Sequence, residues 1–229
     1  MYGVYTYKNG EKKLITLDDY IPTVDGVTVF SHANGKELWV ILLEKAWAKV
    51  HGSYERIIGG VSYQTMRDLT GAPGWSFKMD TPDLFRIVID ADKREFSITA
   101  GIDNADYQKT LRLKDLGLIA GHAYSLIAAA EVVDKKGKNV NLVQLRNPWG
   151  QFEWQGDWGD ESDCWTPELK KQLGCEEAAD DGSFWMDFEQ VKYFFSDIAI
   201  NKYVLDYTFN SLKVKQEPGS FSLFKVVLP

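Results

Sequence analysis

Residues 2–8 alternate aromatic and polar positions, with Tyr5 and Tyr7 on one face beside Gly3. Asn9-Gly10 and a second run, Lys12 to Leu17, follow. Strand, Asn-Gly, strand predicts a hairpin, because both turn residues tolerate the positive φ that a tight hairpin turn needs. Asp18 to Pro22 and Asp25-Gly26 are turn chemistry, and Val27 to Ser31 reads as a further strand. The period then changes to 3.6. Leu38, Trp39, Leu42, Leu43, Ala46, Trp47 and Val50 make one apolar stripe on a helix predicted over Gly35–Val50, ended by His51-Gly52. Ser62 to Leu69 is a short helix, and Thr70-Gly71-Ala72-Pro73-Gly74 the best linker. Thr81-Pro82-Asp83 has the residue order of a helix start, with that helix reaching Asp90. Glu95 to Gly101 is a strand. His122–Val133 and Val140–Arg146, joined by Lys135-Lys136-Gly137-Lys138, form a long hairpin whose first strand is largely buried. Thr166-Pro167-Glu168 opens a helix closed by Gly174, Asp187 caps a last helix from Phe188 to Phe195, and Ile198–Phe209 and Phe221–Val227 are β segments around Glu217-Pro218-Gly219. The class is α+β.

Composition narrows the function. The 229 residues are 45% hydrophobic and 14% aromatic, which argues for packed cores rather than disorder. A net charge of -7 excludes sequence-independent nucleic-acid binding, which needs a basic surface. The longest apolar runs, such as Leu126–Ala130, are too short to span a membrane, and Met1 to Lys8 is not a signal peptide. Two cysteines, Cys164 and Cys175, make no disulfide framework and suggest a reducing, intracellular setting, cytoplasmic by inference. His32, His51 and His122 are scattered and stand at no zinc-ligand spacing to a cysteine; His32 and His51 are given no chemical role.

Pairing of the long hairpin places His122 and Asn147 at the same open end. An asparagine amide oxygen there can fix the imidazole tautomer and leave the other ring nitrogen free to act on a nucleophile. Trp149 could cover that hydrogen bond. The same residues also fit a half-buried strand start and an ordinary Asn-Pro turn.

Gly-His-Ala-Tyr-Ser at 121–125 and Arg-Asn-Pro-Trp-Gly at 146–150 resemble the histidine and asparagine boxes of calpains. Leu42 to Lys49, Asp18–Asp25, Asp68 to Gly71, Glu153 to Trp158 and Asp181 to Met186 resemble other segments of that family in the same order, over residues 3–203. The resemblance implies a papain-like cysteine protease fold: residues 1–71 as the latter part of the first protease subdomain, 72–203 as the whole second subdomain with its twisted antiparallel sheet and flanking helices, and 204–229 as the start of the β-sandwich domain that follows. It implies a calcium-dependent endopeptidase acting on protein and peptide substrates, with His122 as general base and acid, Asn147 orienting it, Trp149 shielding the pair, and Gly121 lining the cleft. The family's nucleophile lies in a Gly-Asp-Cys-Trp segment ahead of the matched region. Ser162-Asp163-Cys164-Trp165 lies downstream of both boxes, and Cys175 precedes two glutamates that disfavour a thiolate. An upstream nucleophile-bearing segment is therefore expected, and this chain alone is expected to be inactive.

The charge is local. Between Glu153 and Asp181 ten acids face only Lys170 and Lys171, a net of -8, so the rest of the chain sums to +1. A solvated acidic loop and a hard-cation site both fit, and the spacing is not that of an EF-hand. The family resemblance implies a calcium site through Glu153, Asp160 and Asp181 with a backbone oxygen near Ala179; Ser183 replaces a further family glutamate, which should weaken it. Glu37 would belong to an incomplete first-subdomain site. Among the clustered tryptophans, Trp185 and Trp154 are expected in a core and Trp149 at the cleft. The alternatives to a protease core are a non-catalytic, calcium-responsive binding module and a purely structural interaction domain.

Overall fold

The computed structural model describes residues 1–33, 35–177, 179–205, 207 and 209. The β segment expected at Phe221–Val227 and the β-sandwich start expected at 204–229 lie outside them, apart from 204, 205, 207 and 209. Contacts divide the chain into two units, one containing Met1–Ile58 and Asp68–Gly71, the other Gly59–Arg67 and Ala72–Tyr207.

The first unit opens on the expected hairpin. β1 (Tyr2–Lys8) pairs antiparallel with β2 (Glu11–Leu17), and Asn9 and Gly10 both take the positive φ of the turn. β3 (Thr23–Val24) and β4 (Val27–Thr28) make a second, minimal hairpin on Asp25-Gly26, so the strand expected to reach Ser31 stops after two residues. α1 (Trp39–His51) packs on β1 and β2. It starts four residues later than expected, because Gly35 adopts φ 63° and Leu38 is the cap. Its buried residues are Ile41, Ala46 and Ala48, while Leu38 and Trp39 are exposed. A 3-10 turn (Glu55–Ile57) follows; α2 (Ser62–Thr70) is divided, with its residues up to Arg67 in the second unit and those from Asp68 in the first.

The second unit is built on a six-stranded, wholly antiparallel sheet. Its strands are β5 (Gly74–Lys78), β6 (Ser97–Ile102), β7 (His122–Val133), β8 (Asn139–Arg146), β9 (Ser183–Asp187) and β10 (Asp197–Asn201), in the order β5-β10-β6-β7-β8-β9. α3 (Leu84–Asp92) begins after Asp83, which has φ 53° and makes no side-chain cap, so Thr81 does not cap this helix. α4 (Tyr107–Asp115) was not foreseen in the periodicity: apart from Leu113 it buries none of its residues, and its start is set by Asp106, whose carboxylate accepts from Lys109 N. α5 (Pro167–Leu173) has the Thr166 cap and a left-handed Gly174, and α6 (Phe188–Phe194) is capped by Asp187, both as expected.

Strand periodicity sorts the core onto the two faces of the sheet. On β8, Val143 and Leu145 join a large cluster with Tyr124, Phe184, Met186 and residues of α3 and α6. Leu142, the residue before Val143 and so on the opposite face, joins a smaller cluster with Val132, Trp158, Leu169 and Trp185. The strand that buries residues on both faces is therefore β8, through Leu142, Val143 and Leu145, whereas β7 exposes Ile127 at a bulge in its pairing with β8. Trp154 and Trp185 are buried as expected, and Trp158 with them. Gly117, at φ 79°, lets the chain ahead of β7 pass against the Glu153 carbonyl, where any Cβ would collide with backbone.

Candidate active site

β7 starts at His122, and β8 ends at Arg146, one residue before Asn147. Register pairs His122 with Ile102 on β6 and Ser125 with Arg146 on β8, so the two box residues meet just beyond the last rung of the β7–β8 ladder. His122 Nε2 lies 2.9 Å from Asn147 Oδ1. Gly121, at φ 65°, turns the chain into β7; its N–H donates to the Asp103 carbonyl, and a Cβ there would strike the Asn104 side chain.

Asn147 is 0% exposed, and its side chain is fully engaged. Oδ1 accepts from Trp149 N at 3.1 Å as well as facing His122. Nδ2 donates to the carbonyls of Gln151 at 2.7 Å and Phe152 at 3.4 Å. Turning the amide over would set its NH2 against the Trp149 N–H and its oxygen against two carbonyls. The oxygen therefore faces the imidazole, and since it can only accept, Nε2 carries the ring proton. Neutral His122 then holds its free lone pair on Nδ1, the nitrogen that can take a proton from a nucleophile. Trp149 is 57% exposed and lies over the imidazole, ring centroids 4.4 Å apart, while Tyr124 meets it edge-on at 5.1 Å. Tyr124 is itself anchored: its hydroxyl accepts from Ile119 N at 2.8 Å, and burial pushes it up to about 12.

The two thiols are elsewhere. Cys164 and Cys175 pack against the smaller cluster, which meets β7 at Ala128, Ala130 and Val132 on the face opposite Tyr124. Those positions lie six to ten residues from His122 along β7, roughly 20–33 Å. Burial raises the Cys175 thiol, opposed by Lys170 and reinforced by Asp160.

The acidic segment folds into two loops that meet. Glu153 and Asp160 line one cavity of about 410 Å³ with Ala179 and Asp180. Glu153 Oε1 accepts from the backbone N–H groups of Asp181 at 3.0 Å and Gly182 at 2.7 Å, and Asp181 Oδ1 accepts from Ser183 N. Desolvation raises Glu153, helped by Asp160 and Asp180 and opposed by the Gly182 and Asp181 N–H groups. Asp160 is raised first by burial and then by Asp181 and Glu161, against Lys170. Hard oxygen donors under mutual repulsion around one cavity suit a hard cation. Among the described residues no three His, Cys, Asp or Glu side chains already converge as a ligand set, so the carboxylates would have to close on an ion. Glu37, in the first unit, is exposed and accepts from Trp39 Nε1 at 3.2 Å.

Several partners had no signature in the residue pattern, because they are backbone atoms: the Gln151 and Phe152 carbonyls, and the Gly182 carbonyl that accepts from Asn147 N at 2.8 Å. Gly182 had a usable signal, being a glycine at φ 86° where a Cβ would sit 2.7 Å from the Asn147 carbonyl oxygen.

Comparison with known proteins places the chain in a family. A family profile described as calpain family cysteine protease matches residues 1–202. Calpain-9 of Mus musculus is 40% identical over 192 residues, covering 81% of this chain and 28% of the relative. The calpain-1 catalytic subunit of Mus musculus is 40% identical over 185 residues, covering 78% and 26%, and the calpain-2 catalytic subunit of Rattus norvegicus is 36% identical over 200 residues, covering 85% and 28%. The chain thus spans little more than a quarter of the length of these curated relatives. With a profile match over residues 1–202 and relatives about 40% identical over some four fifths of its length, the chain belongs to the calpain family of cysteine proteases.

Proposed function

We propose that this chain carries the histidine–asparagine half of a calpain-type endopeptidase site, with the thiol supplied by the rest of a calpain catalytic domain. The observation that supports it is the His122–Asn147 hydrogen bond, with the Asn147 amide locked so that Nδ1 keeps its lone pair. In this reading His122 Nδ1 takes the proton from the cysteine thiol. The thiolate attacks a peptide carbonyl, and His122 returns that proton to the leaving amine. His122 then deprotonates the water that hydrolyses the acyl-enzyme. Asn147 holds the ring through both transfers, and Trp149 limits water at the pair. Cys164 and Cys175 stand too far along the sheet, and on its other face, to be the nucleophile. Residues 1–71 and 72–203 then serve as the latter part of the first and the whole of the second protease subdomain, in an intracellular setting; among the described residues no helix is long and apolar enough to cross a membrane.

The same reading gives Glu153, Asp160 and Asp181, with the Ala179 backbone, a calcium ion to hold. The carboxylate-lined cavity and the raised Glu153 and Asp160 support it. Glu153, Asp160 and Asp181 would hold the ion, which when bound would neutralise these acids. The test is a chimera in which residues 1–202 replace their counterpart in the mouse calpain-1 catalytic subunit, assayed on a fluorogenic peptide with calcium. Cleavage is expected, with His122→Ala lowering kcat/KM by at least about 10³-fold. A folded chimera that cleaves equally well with and without His122 would overturn the proposal.

A further inference from the structure

Phe152 has φ 63°, a left-handed backbone that a bulky side chain rarely adopts. It lies in no helix or strand, and it is not a glycine, the residue for which positive φ carries no steric cost. In extended chain, successive carbonyls point to opposite sides. Here the carbonyls of Gln151 and Phe152 both reach one atom, Asn147 Nδ2, at 2.7 and 3.4 Å. The turn at Phe152 is what brings them to the same side. The Phe152 ring meets Trp149 edge-on at 6.4 Å and is itself 41% exposed, so side-chain burial does not account for the strained backbone.

We infer that Phe152 is a positioning residue: its left-handed backbone aims two carbonyls at the Asn147 amide and so fixes which atom of Asn147 faces His122. The inference rests on the reading of His122 and Asn147 as the catalytic pair, and deepens it. Strain held at residue 152 is exchanged for a single amide orientation at residue 147, and through Oδ1 for a protonated Nε2 on His122.

The chain as it stands is enough to test this, by NMR on the Asn147 side-chain amide and the His122 ring nitrogens. Phe152→Gly accepts positive φ and removes the ring; Phe152→Pro fixes φ near -65° and cannot make the turn. The Asn147 Nδ2 protons are expected to exchange with water about as slowly in Phe152→Gly as in the unaltered chain. In Phe152→Pro they should exchange roughly tenfold faster, the effect of losing about one hydrogen bond, and His122 should lose its Nε2–H preference. If Phe152→Pro does not fold, Phe152→Val, whose β-branch resists positive φ, should fall between the unaltered chain and full loss. Unchanged exchange in folded Phe152→Pro or Phe152→Val would overturn the inference. So would equal acceleration in Phe152→Gly, since that would assign the effect to the ring. Because no nucleophile is needed, an inactive chimera with a slow-exchanging Asn147 amide would count against the proposed function and leave this inference standing.

Discussion

Asn147 is a buried amide whose two donors and two-acceptor oxygen are all used, by His122, Trp149, Gln151 and Phe152. An isosteric carboxylate cannot replace it. In Asn147→Asp one carboxylate oxygen would face two carbonyls with no proton between them. A loss of about 1–3 kcal/mol of stability is expected, read as a lower thermal midpoint with the fold retained. An Asp variant as stable as the unaltered chain would mean that the two carbonyls do not hold the side chain. At this scale the box residues were legible, since His122, Asn147 and Trp149 are side chains whose types imply their chemistry. The carbonyls that aim Asn147 were not, because any residue supplies a carbonyl and Phe152 is a poor guess for a left-handed turn.

Elements were read well where periodicity and capping agreed and poorly where burial decided. The Asn9-Gly10 hairpin, α5 and α6 followed from turn and cap residues. β7 was misjudged because its apolar run, Leu126–Ala130, contains a bulge that turns Ile127 outward, and α4 was missed because little of it is buried. The end of α1 carries a consequence for pH. His51 lies beside Lys8 of β1, which also bonds Asp68 of α2 at 3.2 Å and sits over the Trp47 ring. Burial first, and then Lys8, hold His51 below its ordinary 6.5, with Asp68 opposing. Below about pH 6.5 the unfolded chain therefore binds a proton that the folded chain resists. Stability is full above that pH and falls as pH drops through the folded value. His51→Gln should flatten the fall of the thermal midpoint below pH 6.5; an unchanged slope would show that this cluster does not contribute.

For the whole molecule, the acidity that composition reports as diffuse is confined to one segment, and folding gathers part of it around a single cavity. Calorimetry on the chain should show calcium binding at or below millimolar concentration, weakened at least about tenfold in Asp160→Asn. Absence of binding, or binding indifferent to Asp160, would remove the ion from the account. The claim that matters most is that His122 makes a thiolate out of a cysteine that this chain does not contain. The most direct measurement is the pH dependence of iodoacetamide alkylation of the calpain-1 nucleophile in the chimera, with and without His122→Ala. With His122 present, rapid alkylation should persist at least about 2 pH units below the ordinary thiol value near 8.5, and in His122→Ala it should return to that value. The same ordinary thiol profile in both proteins would contradict the account.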